Sequence, residues 1–437
     1  MGGTSRGVRT SGGGRTSGAG SKRSYYTAAW LLLAFGCGSS PAMPPQEVPP
    51  SDGGAHDAAT RDRDAVAEAD GSGGPDGGPV GDGRSTSFGD IVIVDVPDTT
   101  CVPTRAAAVP LSDGAATAGG FEKMGVIGDR RFAFGAEGSV AVTFGYDGTL
   151  PSAPILGPLA AAAQNGALEG VIADANGFSL QFYDAQGAPD GAPVALDASL
   201  VSGLSLGAGP TMTLAVGCSA TDVVGRLVDQ NRAPGPMVSL FNGASGDGAC
   251  RTSTLWNGMN FSVVWTRRLH DGLTKTSIAY VDLDGTLSFG KVLVLSGGVH
   301  ELVDFVRAPF GYVVLLEEGE GSGNPVAVRL DDFGNVLSPA VRLRGSGHGL
   351  SIATYGSDFA VGALLADGRA AMRPFDSTAN VLGPWVCVDD RTPDMPFAGR
   401  TALGTDDQGY AVVARMSDGS NWYMRTNSLG DDAPGRD

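Results

Sequence analysis

The sequence predicts an all-β fold, a seven-bladed β-propeller of four-stranded antiparallel blades, on three observations. A phrase recurs in which a strand-like run meets an Asp/Asn-Gly turn and passes through small residues and proline into another strand. It reads GYDGTLPSAPIL at 145–156, FYDAQGAPDGAPVAL at 182–196, YVDLDGTLSFGKVLVL at 280–295, RLDDFGNVLSPAVRL at 329–343 and RPFDSTANVLGPWVCV at 373–388. MRTNSLGDDAP at 424–434 and the more worn RLVDQNRAPGPMVSL at 226–240 belong to the same set. Taking Asp147, Asp184, Asp229, Asp284, Asp332, Asp376 and Asn427 as markers, the phrase returns every 37 to 55 residues and averages about 47. Such a period fits blades whose small sheets bury both faces only against their neighbours. Finally, 68 glycines and 26 prolines without a collagen period belong to turns and linkers.

Each unit is justified strand by strand. Ahead of the phrases stand runs such as NFSVVWTRR, GYVVLLEE, DFAVGALLADG and GYAVVARMSDG, rich in Val, Ala and Tyr and bounded by Gly, Asp and Asn. ADG at 366–368 and SDG at 417–419 supply tight turns into the next strand. The final unit, SNWYMRTNSLGDDAPGRD, stops after its third strand, whereas TRAAAVPLSDG at 104–114 has the character of an outer strand. The N-terminal end of the domain is therefore expected to complete the last blade and leave no open edge there. Six blades remain open if the irregular 229–284 region is an insertion, and a β-sandwich is the competing fold.

Of the 437 residues 42% are hydrophobic, enough for a large core, and the net charge is -17. That sign disfavours a phosphate backbone as partner, so no nucleic acid is expected. The first 29 residues carry Arg6, Arg9, Arg15, Lys22 and Arg23 and no acid; Tyr25 to Gly36 then form an apolar run of export-signal length. It is too short to span a bilayer, which takes roughly 20 residues, so no transmembrane segment is expected. Residues 38 to about 98 are dense in Asp, Gly, Pro and Ala with no hydrophobic period, which predicts a disordered tether reaching roughly 40 to 45 Å. Ile91-Val92-Ile93-Val94 is its exception, a sticky segment or a strand added to the domain's edge.

Leu33-Ala34-Phe35-Gly36-Cys37 resembles a bacterial lipoprotein signal. The resemblance implies that Cys37 is acylated and becomes the first mature residue, and Gly38 and Ser39 imply outer-membrane sorting. Together with the tether and the Gly-rich all-β region beyond it, the chain is similar to outer-surface lipoproteins of myxobacteria and related soil bacteria. The expected organisation is a signal peptide at 1–36, an acylated cysteine and tether at 37–100, and the propeller at 101–437.

Four further cysteines, Cys101, Cys218, Cys250 and Cys387, suit disulfides in an exported chain. They allow three pairings; the favoured one joins Cys218 to Cys250 and Cys101 to Cys387. The histidines His56, His270, His300 and His348 lie far apart, which predicts surface histidines rather than a zinc site. Gly203-Leu204-Ser205-Leu206-Gly207 matches the G-x-S-x-G elbow, but Ala-Gly-Pro and a strand follow where a helix is needed. Asp282-Leu283-Asp284-Gly285 and Asp331-Asp332 read as turn caps before they read as calcium ligands. Most Trp and Tyr residues read as packing between blades. Trp256, beside the irregular insertion, is the candidate for a binding surface, and 266–271 (TRRLHD) is a basic run expected on a solvated turn.

No catalytic, cofactor or metal residue stands out. The expected function is a lipid-anchored, exported binding or scaffold module for an extracytoplasmic protein or polysaccharide at the bacterial outer membrane. The alternative is a carbohydrate-active hydrolase or lyase with Asp282, Asp284, Asp331 or Glu317 facing the central channel.

Overall fold

The structure, a computed structural model, describes residues 88–425 except 99, 104–108, 112–122, 128–129, 136–139, 146–154, 165–166, 243–248, 270–271, 297–298, 319–323, 346–347, 388–400, 406–408 and 416–420. Cys37, His56, His270, Asp147, Asn427 and the expected tether up to residue 87 lie outside those residues, as does the side chain of His348. A compact unit spans Gly77–Asp437. No helix among the described residues is long and apolar enough to cross a membrane.

Three strands precede the repeats: β1 (Ile91–Asp95), β2 (Val102–Pro103) and β3 (Val109–Leu111). The first blade holds β4 (Lys123–Ile127), β5 (Arg130–Gly135), β6 (Val140–Phe144) and β7 (Ile155–Leu156). The second holds β8 (Pro158–Gln164), β9 (Ala167–Asp174), β10 (Gly177–Tyr183) and β11 (Val194–Ala195). The third has β12 (Ser202–Ala208), β13 (Met212–Cys218), β14 (Asp222–Asp229) and β15 (Pro234–Asn242). The fourth has β16 (Cys250–Trp256), β17 (Phe261–Arg268), β18 (Thr274–Val281) and β19 (Leu287–Ser296). The fifth has β20 (His300–Ala308), β21 (Gly311–Glu318), β22 (Pro325–Leu330) and β23 (Val336–Arg344). The sixth has β24 (His348–Tyr355), β25 (Asp358–Leu364), β26 (Ala370–Phe375) and β27 (Val386–Cys387). The last has β28 (Ala402–Thr405), β29 (Tyr410–Arg415) and β30 (Asn421–Arg425).

The described strands thus form seven sheets, each opening with an inner strand that touches the inner strands of its neighbours, with β28 returning to β4. Closure follows the expectation: β3 runs antiparallel to β30, pairing Val109 with Tyr423 and Leu111 with Asn421, and supplies the outer strand of the last blade. Leu111 then packs in one cluster with Met124 and Phe144 of the first blade and Val413 and Tyr423 of the last. The extra length between 229 and 284 falls in connections within and between blades three and four, and the ring keeps seven.

The N-terminal strands add what the sequence only hinted at. β1 lies parallel to β23 as a fifth strand, the added edge strand that Ile91-Val92-Ile93-Val94 offered. Val94 and Val96 are buried with residues of blades five and six, and Trp385 donates its indole N–H to the Asp95 carbonyl at 2.7 Å. Burying such side chains contributes about 1.5–3 kcal/mol each. The exposed Arg344–Asp95 ion pair, at 2.6 Å, adds little beside that. β2 lies parallel to β27, and the Cys101–Cys387 disulfide ties it there. A second disulfide joins Cys218 to Cys250 between blades three and four.

The repeating phrase is a five-residue turn between the third and fourth strands. At Asp184, Asp282, Asp331 and Asp376 the residue donates its N–H to the carbonyl four positions on and accepts from the N–H three positions on. The Asp184 carboxylate also accepts from Gln186 N and Ala188 N at 2.9 and 2.8 Å, and that of Asp331 from Phe333 N and Asn335 N at the same distances. The residue three positions after the Asp is left-handed, and glycine fills it at 187, 285 and 334. This corrects the markers: the turns begin at Asp282 and Asp331, two and one positions before those chosen from sequence, and the Asp282 carboxylate accepts from Ser288 Oγ. Asp284 caps Thr286 N instead, and Asp332 pairs with Arg307.

Buried arginines brace the ring. Arg267 donates to the carbonyls of Ala220 and Asp222 of the preceding blade, so the basic run is not the solvated turn expected. Arg131 reaches the Thr405 carbonyl across the closing seam at 3.0 Å, and Arg329 reaches that of Ser377 on the next blade. Backbone carbonyls at sheet edges are strong acceptors, and a guanidinium can satisfy several at once. His300 corrects another expectation: it is 2% exposed. Its Nε2 lies 2.7 Å from Thr276 Oγ1, and burial lowers its pKa to about 4.

Candidate functional site

A cavity of about 500 Å³ opens in the central channel, lined by Lys123, Phe134, Ser205, Thr252, Leu302 and Asp304 among others. Its lining residues cluster at or near the starts of β4, β8, β12, β16 and β20. First strands of successive blades run the same way, so one face of the ring carries this mouth. Register shifts interrupt β8 between Pro158 and Ala160, β12 between Ser202 and Ser205, and β20 between Leu302 and Asp304. Bulges turn side chains that a regular ladder would send elsewhere, and here they sit at the lip of the cavity.

The G-x-S-x-G segment is β12 itself. Gly203 is left-handed, and a Cβ there would meet Cys250 O at 2.6 Å and Cys218 Sγ at 2.7 Å. At Gly207 a Cβ would meet Thr254 Cγ2 at 2.7 Å. Both glycines therefore let β12 approach β16 and the disulfide beside it, and no strand-to-helix elbow exists. Ser205 Oγ lies 2.6 Å from Thr252 Oγ1 and 2.8 Å from Thr254 Oγ1, while Thr252 donates to the Gly203 carbonyl at 2.5 Å. This hydroxyl chain crosses from one blade to the next at the cavity wall. Ser205→Ala is expected to lower stability by about 1–2 kcal/mol through the hydroxyls it strands. Urea unfolding measures it; an unchanged midpoint would remove the chain from the wall's support.

The charged lining comes from three blades. Desolvation holds the Lys123 ammonium below the usual lysine range, and the charge of Asp304 opposes that shift. Arg251 is engaged with Glu301 at 3.4 Å. Asp304 accepts its neighbour Phe305 N at 2.8 Å. Phe134, Leu159, Phe178, Leu206 and Leu302 supply the apolar part of the wall.

The residues singled out from sequence are placed elsewhere. Asp282, Asp284 and Asp331 occupy the turns between third and fourth strands, and neither they nor Glu317 line the cavity, which corrects their expected place facing the channel. Trp256 ends β16, at the opposite end from Cys250, which does line it. Its ring packs edge-on to Phe261 at 5.0 Å, half-buried between blades. Trp265, Trp385, Tyr280, Tyr312, Tyr410 and Tyr423 are buried, as packing requires. Among the described residues no group of three or more His, Cys, Asp or Glu side chains is placed to hold a metal ion. Of the cavity residues, the sequence offers 203–206 only as a G-x-S-x-G match and Cys250 only as a disulfide partner, and Lys123, Thr252, Leu302 and Asp304 are each ordinary alone; the signal available is their position at the starts of inner strands.

A closed seven-bladed ring with a cavity in its channel mouth defines the chain as a β-propeller. No family model and no curated protein matches it. Among solved structures it is similar to hydrazine synthase of Kuenenia stuttgartiensis, at 13% identity and a TM-score of 0.50 over 77% of this chain and 100% of that one. A puromycin hydrolase S511A mutant complexed with PGG aligns at 16% identity and a TM-score of 0.45, over 74% of this chain and 53% of that one. A chain of the mitotic checkpoint complex aligns at 12% identity and a TM-score of 0.46, over 76% and 97%. At these identities the likeness concerns the fold alone.

Proposed function

We propose that the chain is an exported binding module, anchored through Cys37 at the bacterial outer membrane, that receives its ligand in the channel mouth. The observation that carries this reading is the cavity: a preformed concavity on a rigid, doubly cross-linked ring, with apolar walls and a few convergent polar groups. Of the carboxylates a glycosidase would use, Asp284 and Asp331 are occupied in turn caps, which favours binding over hydrolysis. An extracytoplasmic protein or polysaccharide is the partner class this reading allows, through a terminal residue small enough for the mouth.

The leader supports export and anchoring. A diacylglycerol with an amide-linked chain holds a membrane far more firmly than one chain, at about 0.8 kcal/mol per buried methylene. Cys37→Ser is therefore expected to move the protein from the membrane to the soluble fraction on cell fractionation. Undiminished membrane retention of that variant would count against the anchor. Capture of the ligand by the released variant keeps the two parts of the reading separable.

A further inference from the structure

We propose that the face of the ring opposite the cavity docks a partner protein through a segment that mixes lysine or arginine with large apolar side chains. In an antiparallel four-stranded blade the first and third connections lie at the end away from the start of the inner strand, and so away from the cavity. On blades four to six these connections and the residues flanking them are 257–260, 282–287, 308–311, 331–336, 355–358 and 376–382. They carry six aspartates, Asp282, Asp284, Asp331, Asp332, Asp358 and Asp376, and no lysine, arginine or histidine. Exposed among them stand Met259, Leu287, Phe333, Val381 and Leu382. Met259 is 81% exposed and Phe333 58%, so each offers most of its side chain to a partner.

Contacts run along this end from blade to blade. Asn260 Nδ2 donates to Ser288 Oγ at 3.1 Å, which brings the loop of Met259 to the strand start at Leu287. Asn257 Nδ2 donates to Tyr312 Oη at 2.8 Å, and Arg307 covers the Tyr312 ring and pairs with Asp332, next to Phe333. Arg329 then reaches the Ser377 carbonyl, in the turn that leads to Val381 and Leu382. The caps at Asp331 and Asp376 hold these tips in place, so little order is lost on docking. Charge decides the occupant. Arg307, the cation that flanks the patch, is spent on Asp332, so a basic segment is attracted and an acidic one repelled. A second copy docking through the same face would set aspartates against aspartates. The chain's own acidic stretches fit no better: 38–87 holds nine acids to three arginines, and 426–437 three to one. The basic leader departs with the signal peptide in the export reading above. Apolar side chains of the partner cover Met259 and Phe333 and give the contact its strength, while the aspartates select its sign.

The test uses the oxidised Cys37→Ser chain and fluorescence anisotropy of three labelled peptides of equal length: an amphipathic lysine–leucine peptide, its glutamate–leucine counterpart and a lysine–serine peptide. The lysine–leucine peptide is expected to bind, more weakly as salt is raised, and the other two to bind about tenfold more weakly or worse. Met259→Ser combined with Phe333→Ser, and Asp284→Asn combined with Asp332→Asn, should each weaken it about tenfold with the unfolding midpoint unchanged. Leu273→Ser, exposed at the cavity end, should leave binding as it is. Equal binding of the glutamate peptide, or a loss with Leu273→Ser as large as with the apolar pair, overturns the inference. Lysine–serine binding as tight as lysine–leucine binding reduces the face to plain charge and overturns it too. A dimer in light scattering that the Met259 and Phe333 substitutions dissolve gives the face to a second copy instead. No binding of the lysine–leucine peptide at low salt also overturns it and leaves the cavity reading standing.

Discussion

A chain that begins at residue 121, and so lacks β1, β2 and β3, is expected to lose its cooperative unfolding transition. Three contributions leave together. Leu111 vacates the cluster that holds Phe144 and Tyr423, and a buried leucine lost without collapse costs about 2–5 kcal/mol. The disulfide that closes a sequence separation of 286 disappears, worth roughly 5 kcal/mol on the loop-entropy relation. The third strand of the last blade, β30, becomes an open edge across the seam. Their sum is comparable with the whole stability of a typical domain, about 5–15 kcal/mol.

A chain that begins at residue 100 separates the causes. It keeps Cys101, β2 and β3 and loses β1, so it is expected to unfold cooperatively at a lower denaturant midpoint. The Cys101→Ser, Cys387→Ser double variant of the full chain isolates the cross-link, because β3 is retained. Circular dichroism and tryptophan fluorescence against guanidinium concentration read all three. A sharp transition at the wild-type midpoint for the chain from 121 would show that the ring closes without β3.

What could be read in advance, and what could not, follows from where each signal lies along the chain. The turn repeat was legible because one residue does a local job: Asp184, Asp331 or Asp376 must cap N–H groups two and four positions later, with a left-handed residue at the third. The misplaced marker at Asp284 arose where Asp-Leu-Asp-Gly offers two carboxylates, and the glycine three positions on from Asp282 decides between them. Closure by β3 was legible because a last unit with three strands leaves an edge to fill. The cavity was not, since Lys123, Ser205, Thr252 and Asp304 come from four blades and only the ring brings them together. His300 and Arg267 misled for a related reason: polar residues near a turn look solvated until the neighbouring blade supplies Thr276 or the carbonyls of Ala220 and Asp222.

Two buried groups in different blades are expected to hide each other's pH dependence. Glu169, 1% exposed, receives a hydrogen bond from Thr213 Oγ1 at 2.6 Å, and desolvation raises its carboxyl from 4.5 to about 7 despite that bond. Its folded pKa lies above the unfolded one, so its contribution is complete below 4.5 and is lost as pH rises through 7. His300 is the reverse: desolvation depresses it from 6.5 to about 4, and stability present above 6.5 is lost as pH falls through 4. Each spans about 3 kcal/mol at 1.36 kcal/mol per pH unit of separation. Between pH 4.5 and 6.5 the folded state holds about one proton more at Glu169 and one fewer at His300, and the two slopes cancel. Glu169→Gln should therefore steepen the acid loss of stability relative to wild type and raise stability by up to about 3 kcal/mol toward pH 8. His300→Gln should unmask the opposite slope, with stability falling as pH rises from 4.5 to 7. Differences between variant and wild-type urea curves at each pH remove the contribution of the other carboxylates. Parallel curves for wild type and both variants would mean that neither group carries a shifted proton in the folded ring.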